Sequence, residues 1–348
     1  MTRKSLVSIA LLLVLAVSLS ACSNGNKAAT GSPKESQSAD NGGDTAAKGN
    51  YTVGISLPAA DHGWMGALIG NAKAEADKHS NIKQIVYTAK DPAKQTSDIE
   101  DLITKKVDAI VMLPIESAAL TPAAEKIAKA GIPLIVIDRA VNTESYRTYV
   151  GGDNYGIGYG DAKYLVDELI KRKGKAEGKV VEISGVPSSV TDLRSKGFRD
   201  YIKDYPGVQI IASQPGDFTR EKALKAMENI LQANKGIDAV YSQDDDMTVG
   251  IVQAIKDAKR QDEMFIVSSG GMQEIYKMMK EKAKPEVVVS LTYSPTMSGT
   301  AVKLASLILE GKGIDGFWEK SVPHHIVLEA TPVTPDNVDK YLNPDSKY

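Results

Sequence analysis

Cysteine is almost absent. Cys22 is the only one in 348 residues, which excludes an intrachain disulfide and any thiolate metal cluster. Aromatics are sparse at 6% of the chain, with Phe 4 and Trp 2, so an aromatic beside polar groups is worth noting. A surplus of basic residues is also missing. Lys+Arg 42 against Asp+Glu 44 leaves a formal charge of −2, which argues against the basic face of a nucleic-acid binder. The N-terminal apolar stretch Leu6 to Leu19, interrupted by serines, is too short for a comfortable membrane span. His62, His79 and the pair His324-His325 lack the spacing of a metal site. The run Asp244-Asp245-Asp246 lacks the glycine and distal glutamate of a calcium loop. No metal and no cofactor is expected.

The N-terminus has its own pattern. Arg3 and Lys4 precede the apolar stretch, and Ala21 and Cys22 follow it, as in a secretory signal. Leu19-Ser20-Ala21-Cys22 also matches the lipobox of bacterial lipoproteins. That match implies cleavage before Cys22 and lipid on its thiol, giving a membrane anchor when more than one chain is attached. Residues 23–50 carry no large apolar side chain and are expected to form a flexible tether.

From Tyr51 onward strand-like and helix-like runs alternate. The clearest strand is Leu134-Ile135-Val136-Ile137, apolar throughout and suited to burial on both faces of a parallel sheet. Leu224, Met227, Ile230 and Leu231 recur at helical spacing. The alternation predicts an α/β fold of βαβ units with parallel sheets. Ten strand-like runs suit two sheets of about five strands better than one. The break is expected near Val150-Gly151-Gly152-Asp153. Gly156, Gly158 and Gly160 then open a helix; their spacing is not the dinucleotide fingerprint, and close packing of that helix on the sheet is the better account.

Polar groups fall repeatedly at strand ends, where open parallel sheets bind ligands. Ser56, Asp61, His62, Trp64 and Met65 follow the first strand, and Asp138 and Arg139 the fourth. Asp192 and Arg194 open a helix, Asp217 and Phe218 follow a later strand, Gln243 to Asp246 another, and Tyr293 the last. Each has a plainer account: Asp245 or Asp246 as a helix N-cap, Trp64 as core, Asp138-Arg139 as a surface pair. Taken together, carboxylates, guanidiniums, a phenol and separated aromatics suit a small neutral polyol. Carboxylates accept from hydroxyls, and arginine donates to hydroxyl and ring oxygens.

Several of these runs carry a family resemblance. Thr52 to Ser56 with Trp64-Met65, Gly131-Ile132-Pro133, Ile137-Asp138-Arg139, Arg194 with Gly197-Phe198, Gly216-Asp217-Phe218-Thr219-Arg220 and Gln243-Asp244-Asp245-Asp246-Met247 resemble motifs of periplasmic-type sugar-binding proteins of the ribose-binding class. The resemblance spans Tyr51 to about Lys340. It implies two Rossmann-like three-layer α/β/α lobes joined by a three-strand hinge, with crossovers near Gly152, Tyr293 and His324. The first lobe would hold 51–152 plus 295–322, and the second 153–293 plus 323–340. It further implies a monomeric, non-enzymatic, extracytoplasmic binding protein that delivers a monosaccharide or polyol to the membrane subunits of an ABC importer. A ligand-sensing lipoprotein feeding a membrane kinase or chemoreceptor is the alternative. The implied ligand contacts are Ser56, Asp61, His62, Trp64, Met65, Asp138, Arg139, Asp192, Arg194, Phe218, Asp244 and Tyr293, with Trp64 and Phe218 expected to sandwich the ring. Departures from the ribose pattern leave hexoses, furanoses, polyols and amino sugars open. Asp192 stands for an arginine, Asp244 for an asparagine, Gly270 for an aspartate and Tyr293 for a glutamine.

Overall fold

The computed structural model describes residues 49–348. The readings of 1–22, of Cys22 and of nearly all of 23–50 lie outside the described residues. The apolar runs form strands as their composition demands. The first sheet is built from β1 (Tyr51–Pro58), β2 (Ile82–Ala89), β3 (Ala109–Met112), β4 (Leu134–Ile137) and β5 (Thr148–Gly152). All four residues of β4 are buried, each worth about 1.5–3 kcal/mol relative to exposure. Helices α1 (Gly63–Asp77), α2 (Pro92–Thr104) and α3 (Ser117–Lys129) connect these strands. Pairing in the order β2-β1-β3-β4-β5 is parallel throughout.

The second half repeats the scheme. Helix α4 (Asn154–Lys173) leads into β6 (Gly178–Ser184), α5 (Ser189–Ile202), β7 (Val208–Pro215), α6 (Arg220–Ala233), β8 (Ala239–Ser242), α7 (Asp245–Asp257), β9 (Phe265–Gly270), α8 (Gln273–Lys280) and β10 (Glu286–Thr292). Their order is β7-β6-β8-β9-β10. Both sheets therefore reverse strand order beside their first strand, between β1 and β3 and between β6 and β8, and such reversals open a crevice at the strands' carboxyl ends.

The chain then returns to the first sheet. Helix α9 (Met297–Leu309) packs on α1, and Ser298 donates to the Leu68 carbonyl at 2.6 Å. Strand β11 (His325–Leu328) extends the first sheet in parallel with β5, and β12 (Pro332–Val333) closes the second sheet antiparallel to β10. Each sheet thus has six strands, one more than expected, because these two strands are too short to read from periodicity. The placement of 323–328 in the second lobe is corrected. His325 to Leu328 align with Tyr149 to Gly152, so the last crossover follows Leu328 instead of His324. Strand β5 begins only at Thr148, because Tyr146 N donates to Glu144 O in a turn just before it.

The glycines at the start of α4 serve close packing, mainly of helix on helix. A Cβ on Gly158 would lie 1.9 Å from the Arg194 carbonyl oxygen, and one on Gly197 2.1 Å from that of Tyr155. The sheet is nearer at Gly160, where Leu291 would be 2.9 Å away. No described helix is long and apolar enough to cross a membrane.

Candidate functional site

At the end of β4 the chain turns sharply. Asp138 adopts φ 62, a left-handed conformation that aspartate tolerates better than most residues but still at a cost. Its amide donates to the Val150 carbonyl at 2.9 Å, and its own carbonyl accepts from the Tyr149 hydroxyl at 2.7 Å. These bonds hold the carboxylate in place. Oδ1 accepts from the Tyr293 hydroxyl at 2.5 Å, while Oδ2 lies 3.6 Å from Arg139 Nε. Arg139 is buried, and its Nη1 donates to the Ile115 carbonyl at 2.7 Å. Its Nε has no hydrogen-bond partner among the described residues.

The second lobe approaches through the loops after β8 and β10 and the first turn of α5. Arg194 is 2% exposed. Its Nε donates to Asn154 Oδ1 at 2.9 Å, and its Nη1 to the Gln243 carbonyl and to Ser269 Oγ. The guanidinium lies 4.6 Å over the Tyr293 ring. One polar chain therefore runs from Asp138 through Tyr293 and Arg194 to the Gln243 backbone, next to Asp244. Burial pushes the Tyr293 phenol well above its usual range, and the Asp138 charge adds to that, so Tyr293 stays protonated and donates.

Aromatics flank this chain. The Trp64 ring is 5.5 Å from that of Tyr293, and its Nε1 donates to the Tyr293 carbonyl at 2.8 Å. Phe218, with φ 61 beside Asp217 with φ 51, lies under the Arg139 guanidinium at 5.6 Å. Gly185 makes room for it, since a Cβ there would be 1.9 Å from the Phe218 ring. Strain stored at Asp138, Asp217 and Phe218 is of the kind that collects at ligand clamps, about 1–3 kcal/mol per residue.

The lobes are closed on one another. Ala140 N donates to Ser189 Oγ at 2.8 Å, Ser189 N to Ser117 Oγ at 3.0 Å and Trp64 N to Asp246 Oδ2 at 3.3 Å. A surface cavity of about 1010 Å³ opens where the lobes meet, lined by Asp61, His62, Arg220 and Asp246 among others. Asp138, Arg139, Arg194 and Tyr293 do not line it and are buried.

Eight of the twelve residues singled out from sequence, Trp64, Asp138, Arg139, Arg194, Phe218, Tyr293, His62 and Asp244, lie in or beside this network. Ser56 and Met65 are buried just beneath, Ser56 taking a hydrogen bond from Gln95 Nε2 at 3.3 Å and Met65 joining the first lobe's core. Asp61 is exposed at the mouth and pairs with His62 Nδ1 at 2.5 Å. Asp192 does not join the site. It is exposed on α5, two positions from buried Arg194, and residues two apart on a helix face different directions.

The helix cap also differs from expectation. Asp244, and neither Asp245 nor Asp246, caps α7, accepting from Asp246 N at 2.8 Å and Met247 N at 3.3 Å. Asp245 instead accepts from Gly271 N and Met272 N, each at 2.9 Å. It also accounts for Gly270: φ is 148 there, and a Cβ would lie 3.0 Å from Asp245 Cβ. Sequence reading missed Asn154, whose Nδ2 donates to Tyr293 Oη at 3.3 Å while its Oδ1 holds Arg194. It also missed Gln95 and read Gln243 only as one of the strand-end polar groups; the amides of both lock the loops beneath the site. Their burial is set by tertiary packing; only Gln243 stood inside a motif.

Charge is unevenly balanced here. Burial alone would lower the His62 imidazole, but the Asp61 hydrogen bond and the charges of Asp244 and Asp246 raise it above its usual range. Burial, then the neighbouring Asp246 charge, push the Asp244 carboxyl up to about 7 from an ordinary 3.8. Between those pH values the folded protein holds a proton that the unfolded chain has released. The contribution of Asp244 to stability is therefore fully present below pH 3.8 and is lost as pH rises through about 7. Asp244→Asn retains a capping oxygen and removes this titration. Without sugar, urea melts should show the parent losing stability relative to the variant by a few kcal/mol from about pH 4 to pH 8, since each tenfold difference in proton affinity between folded and unfolded chain is worth about 1.4 kcal/mol. Parallel pH profiles would refute the assignment.

Comparison with known proteins agrees with this geometry. The sequence profile described as "Periplasmic binding protein domain" matches residues 53–313. The ribose import binding protein of Bacillus subtilis (strain 168) is 32% identical over 284 residues, covering 81% of this chain and 88% of its own. The galactofuranose-binding protein YtfQ of Escherichia coli (strain K12) is 34% identical over 259 residues, covering 72% and 79%. A galactofuranose-binding protein of known structure superposes with TM-score 0.75 at 31% identity, covering 84% of this chain and 97% of its own. The binding component of the arabinose ABC transporter from Shewanella sp. ANA-3, bound to L-arabinofuranose, gives 0.73 at 27% identity, covering 83% and 94%. These relatives are solute-binding proteins, and their family implies an extracytoplasmic location. With two parallel-sheet lobes closed over a buried polar cluster, and a family match across most of its body, this chain belongs to the periplasmic binding protein domain family.

Proposed function

We propose that this protein captures a monosaccharide or closely related polyol between its lobes and delivers it to the membrane subunits of an ABC importer, held to the membrane by lipid on Cys22. The observation that carries the ligand class is the pair Asp138–Arg139. Among the described residues Arg139 Nε is buried without an acceptor, and Asp138 Oδ2, at 3.6 Å, is just beyond hydrogen-bond reach. A hydroxyl donates and accepts at once, so one sugar hydroxyl can accept from Arg139 and donate to Asp138. Such a group also removes the cost of the unpaired donor, about 1–3 kcal/mol. An apolar ligand would leave that cost in place.

In this reading Trp64 and Phe218 cover the two faces of the ring. Asp138 and Arg139 grip it from the first lobe, and Asp244, Arg194 and Tyr293 from the second lobe and the hinge. His62 and Asp61 sit at the rim. Ligand favours the closed form to the extent that it contacts both lobes, and the closed form is what the importer engages. Furanoses are the first sugars to test, since one relative is named for galactofuranose binding and another is bound to L-arabinofuranose. The sensor alternative draws less support, because the full-length relatives above are named for import or binding.

The test is a thermal-shift screen of the tether-free body against furanose-forming pentoses and hexoses, alditols and inositols. A ligand present at a hundred times its Kd adds about 2.7 kcal/mol of stability and raises Tm by several degrees. Calorimetry then gives stoichiometry, and chromatography should return the ligand unaltered. No shift with any polyhydroxy compound, together with a shift from an amino acid, would overturn the sugar reading. Ligand should also change tryptophan emission in a Trp318→Phe background, where Trp64 is the sole reporter; Trp318 is 99% exposed. A saturable calorimetric signal with silent Trp64 emission would remove Trp64 from the ring contact. Labelled palmitate incorporation that is lost in Cys22→Ser tests the anchor.

A further inference from the structure

On the other side of Tyr149, whose hydroxyl meets the Asp138 carbonyl at 2.7 Å and whose ring lies 5.8 Å from that of His325, the edge of the first sheet gathers a different set of side chains. Glu144, in the loop between β4 and β5, meets His324 and His325 at the start of β11, all three exposed and with one donor atom each within 4.8 Å of the others. His324 Nε2 lies 3.1 Å and His325 Nε2 3.3 Å from Glu144 Oε2. Donors bound at about 2.0–2.2 Å to a tetrahedral ion stand roughly 3.3–3.6 Å apart, close to the two histidine–Glu144 distances; His325 Nε2, 2.9 Å from the Tyr146 hydroxyl, would exchange that partner for the ion. The surroundings prepare it further. The His324 ring stacks on Tyr146 at 4.8 Å with planes 6° apart. Its Nδ1 faces the Arg147 carbonyl at 3.4 Å, an acceptor that can hold the ring proton on Nδ1 once Nε2 binds an ion. The Tyr146 hydroxyl donates to Glu144 Oε2 at 3.0 Å. Both contacts are of the outer-shell kind that orient metal ligands.

We propose that Glu144, His324 and His325 form a binding site for a divalent transition ion of the zinc type, completed by water. Two imidazoles and one carboxylate suit zinc, copper or nickel and not magnesium or calcium. The ion acts as a clip. It joins the β4–β5 loop to the first residues of β11, just before the chain makes its last crossover between lobes, and so pins the edge strand of the first sheet. Reading His324-His325 by spacing alone missed this, because Glu144 is 180 residues away in the chain.

The experiment titrates Zn²⁺ into tag-free protein by calorimetry, with thermal melts in parallel and no sugar present. One equivalent should bind, with a rise in Tm. Glu144→Gln, His324→Ala and His325→Ala should each weaken binding at least tenfold and abolish the rise. His79→Ala, at the separate half-buried pair with Glu75, should leave binding unchanged, and Mg²⁺ should not compete. Binding unaffected by all three site variants overturns the proposal. Half an equivalent accompanied by zinc-dependent dimers overturns the single-chain clip. The three side chains are at the surface, so variant melting curves without zinc should match the parent; a variant that melts early is replaced by His325→Gln, which keeps polarity and removes the imidazole.

Discussion

Arg139→Ala is expected to weaken sugar binding by about 10- to 100-fold, with little loss of overall fold. Hydrogen bonds to charged groups contribute about 1.5–3 kcal/mol, and each 1.4 kcal/mol is a factor of ten in Kd. Arg139 offers an unpartnered Nε, and its Nη1 is anchored by the Ile115 carbonyl at 2.7 Å. The guanidinium is therefore held for its partner before ligand arrives, and little ordering cost remains to be met. It also covers the Phe218 ring at 5.6 Å, so its loss loosens one wall of the site. Arg139→Lys should recover only part of the affinity, because an ammonium lacks the planar fork. Calorimetry with the sugar identified by the thermal screen measures this. Unchanged affinity in both Arg139→Ala and Trp64→Ala would retire the site assignment while leaving the family membership intact.

Arg194→Ala is expected to do something different: to cost about 3–5 kcal/mol of folding stability, as emptying a buried site and stranding the hydrogen-bond network it holds does, and to abolish binding as a consequence. Arg194 is 2% exposed, ties Asn154 on α4 to the Gln243 backbone and Ser269 Oγ, and underlies the Tyr293 ring. Removing it strands those acceptors and opens a cavity inside the second lobe. It also takes away the positive charge facing Asp161, a fully buried carboxyl that burial pushes far upward and Arg194 pulls back. Urea unfolding of the sugar-free protein should show a much lower midpoint. A variant as stable as the parent, yet unable to bind, would mean that Arg194 acts only on ligand and that the network it joins is not structural. The contrast between the two arginines follows from their partners: the buried Nε of Arg139 has no acceptor among the described residues, whereas the Nε and Nη1 of Arg194 are both engaged within the protein.

Most of the architecture was legible in the chain. The run Leu134–Ile137 reads as a doubly buried strand and is one, and the alternation of strand and helix yields two parallel-sheet lobes. Residues at strand ends were legible as candidates because a sheet's carboxyl edge is where loops converge. Asp192 misled for a definite reason: a motif position fixes sequence offset, but a helix turns about 100° per residue, and only Arg194 ended on the buried face. Asn154 and Gln95 carried no signal, since an amide reads alike whether it is exposed or locked under a site.

The two-lobe α/β architecture, the family and the set of polar types offered to a ligand follow from the order of amino acids, because strand and helix periodicities and strand-end motifs are local properties of the chain. Which polar groups meet is set by folding in three dimensions: that Asp138 reaches Tyr293, that Asp244 and not its neighbours caps α7, that β11 belongs to the first sheet, and that Glu144 finds two histidines. Those outcomes depend on contacts between residues far apart in sequence, where packing chooses among partners that local chemistry leaves equivalent.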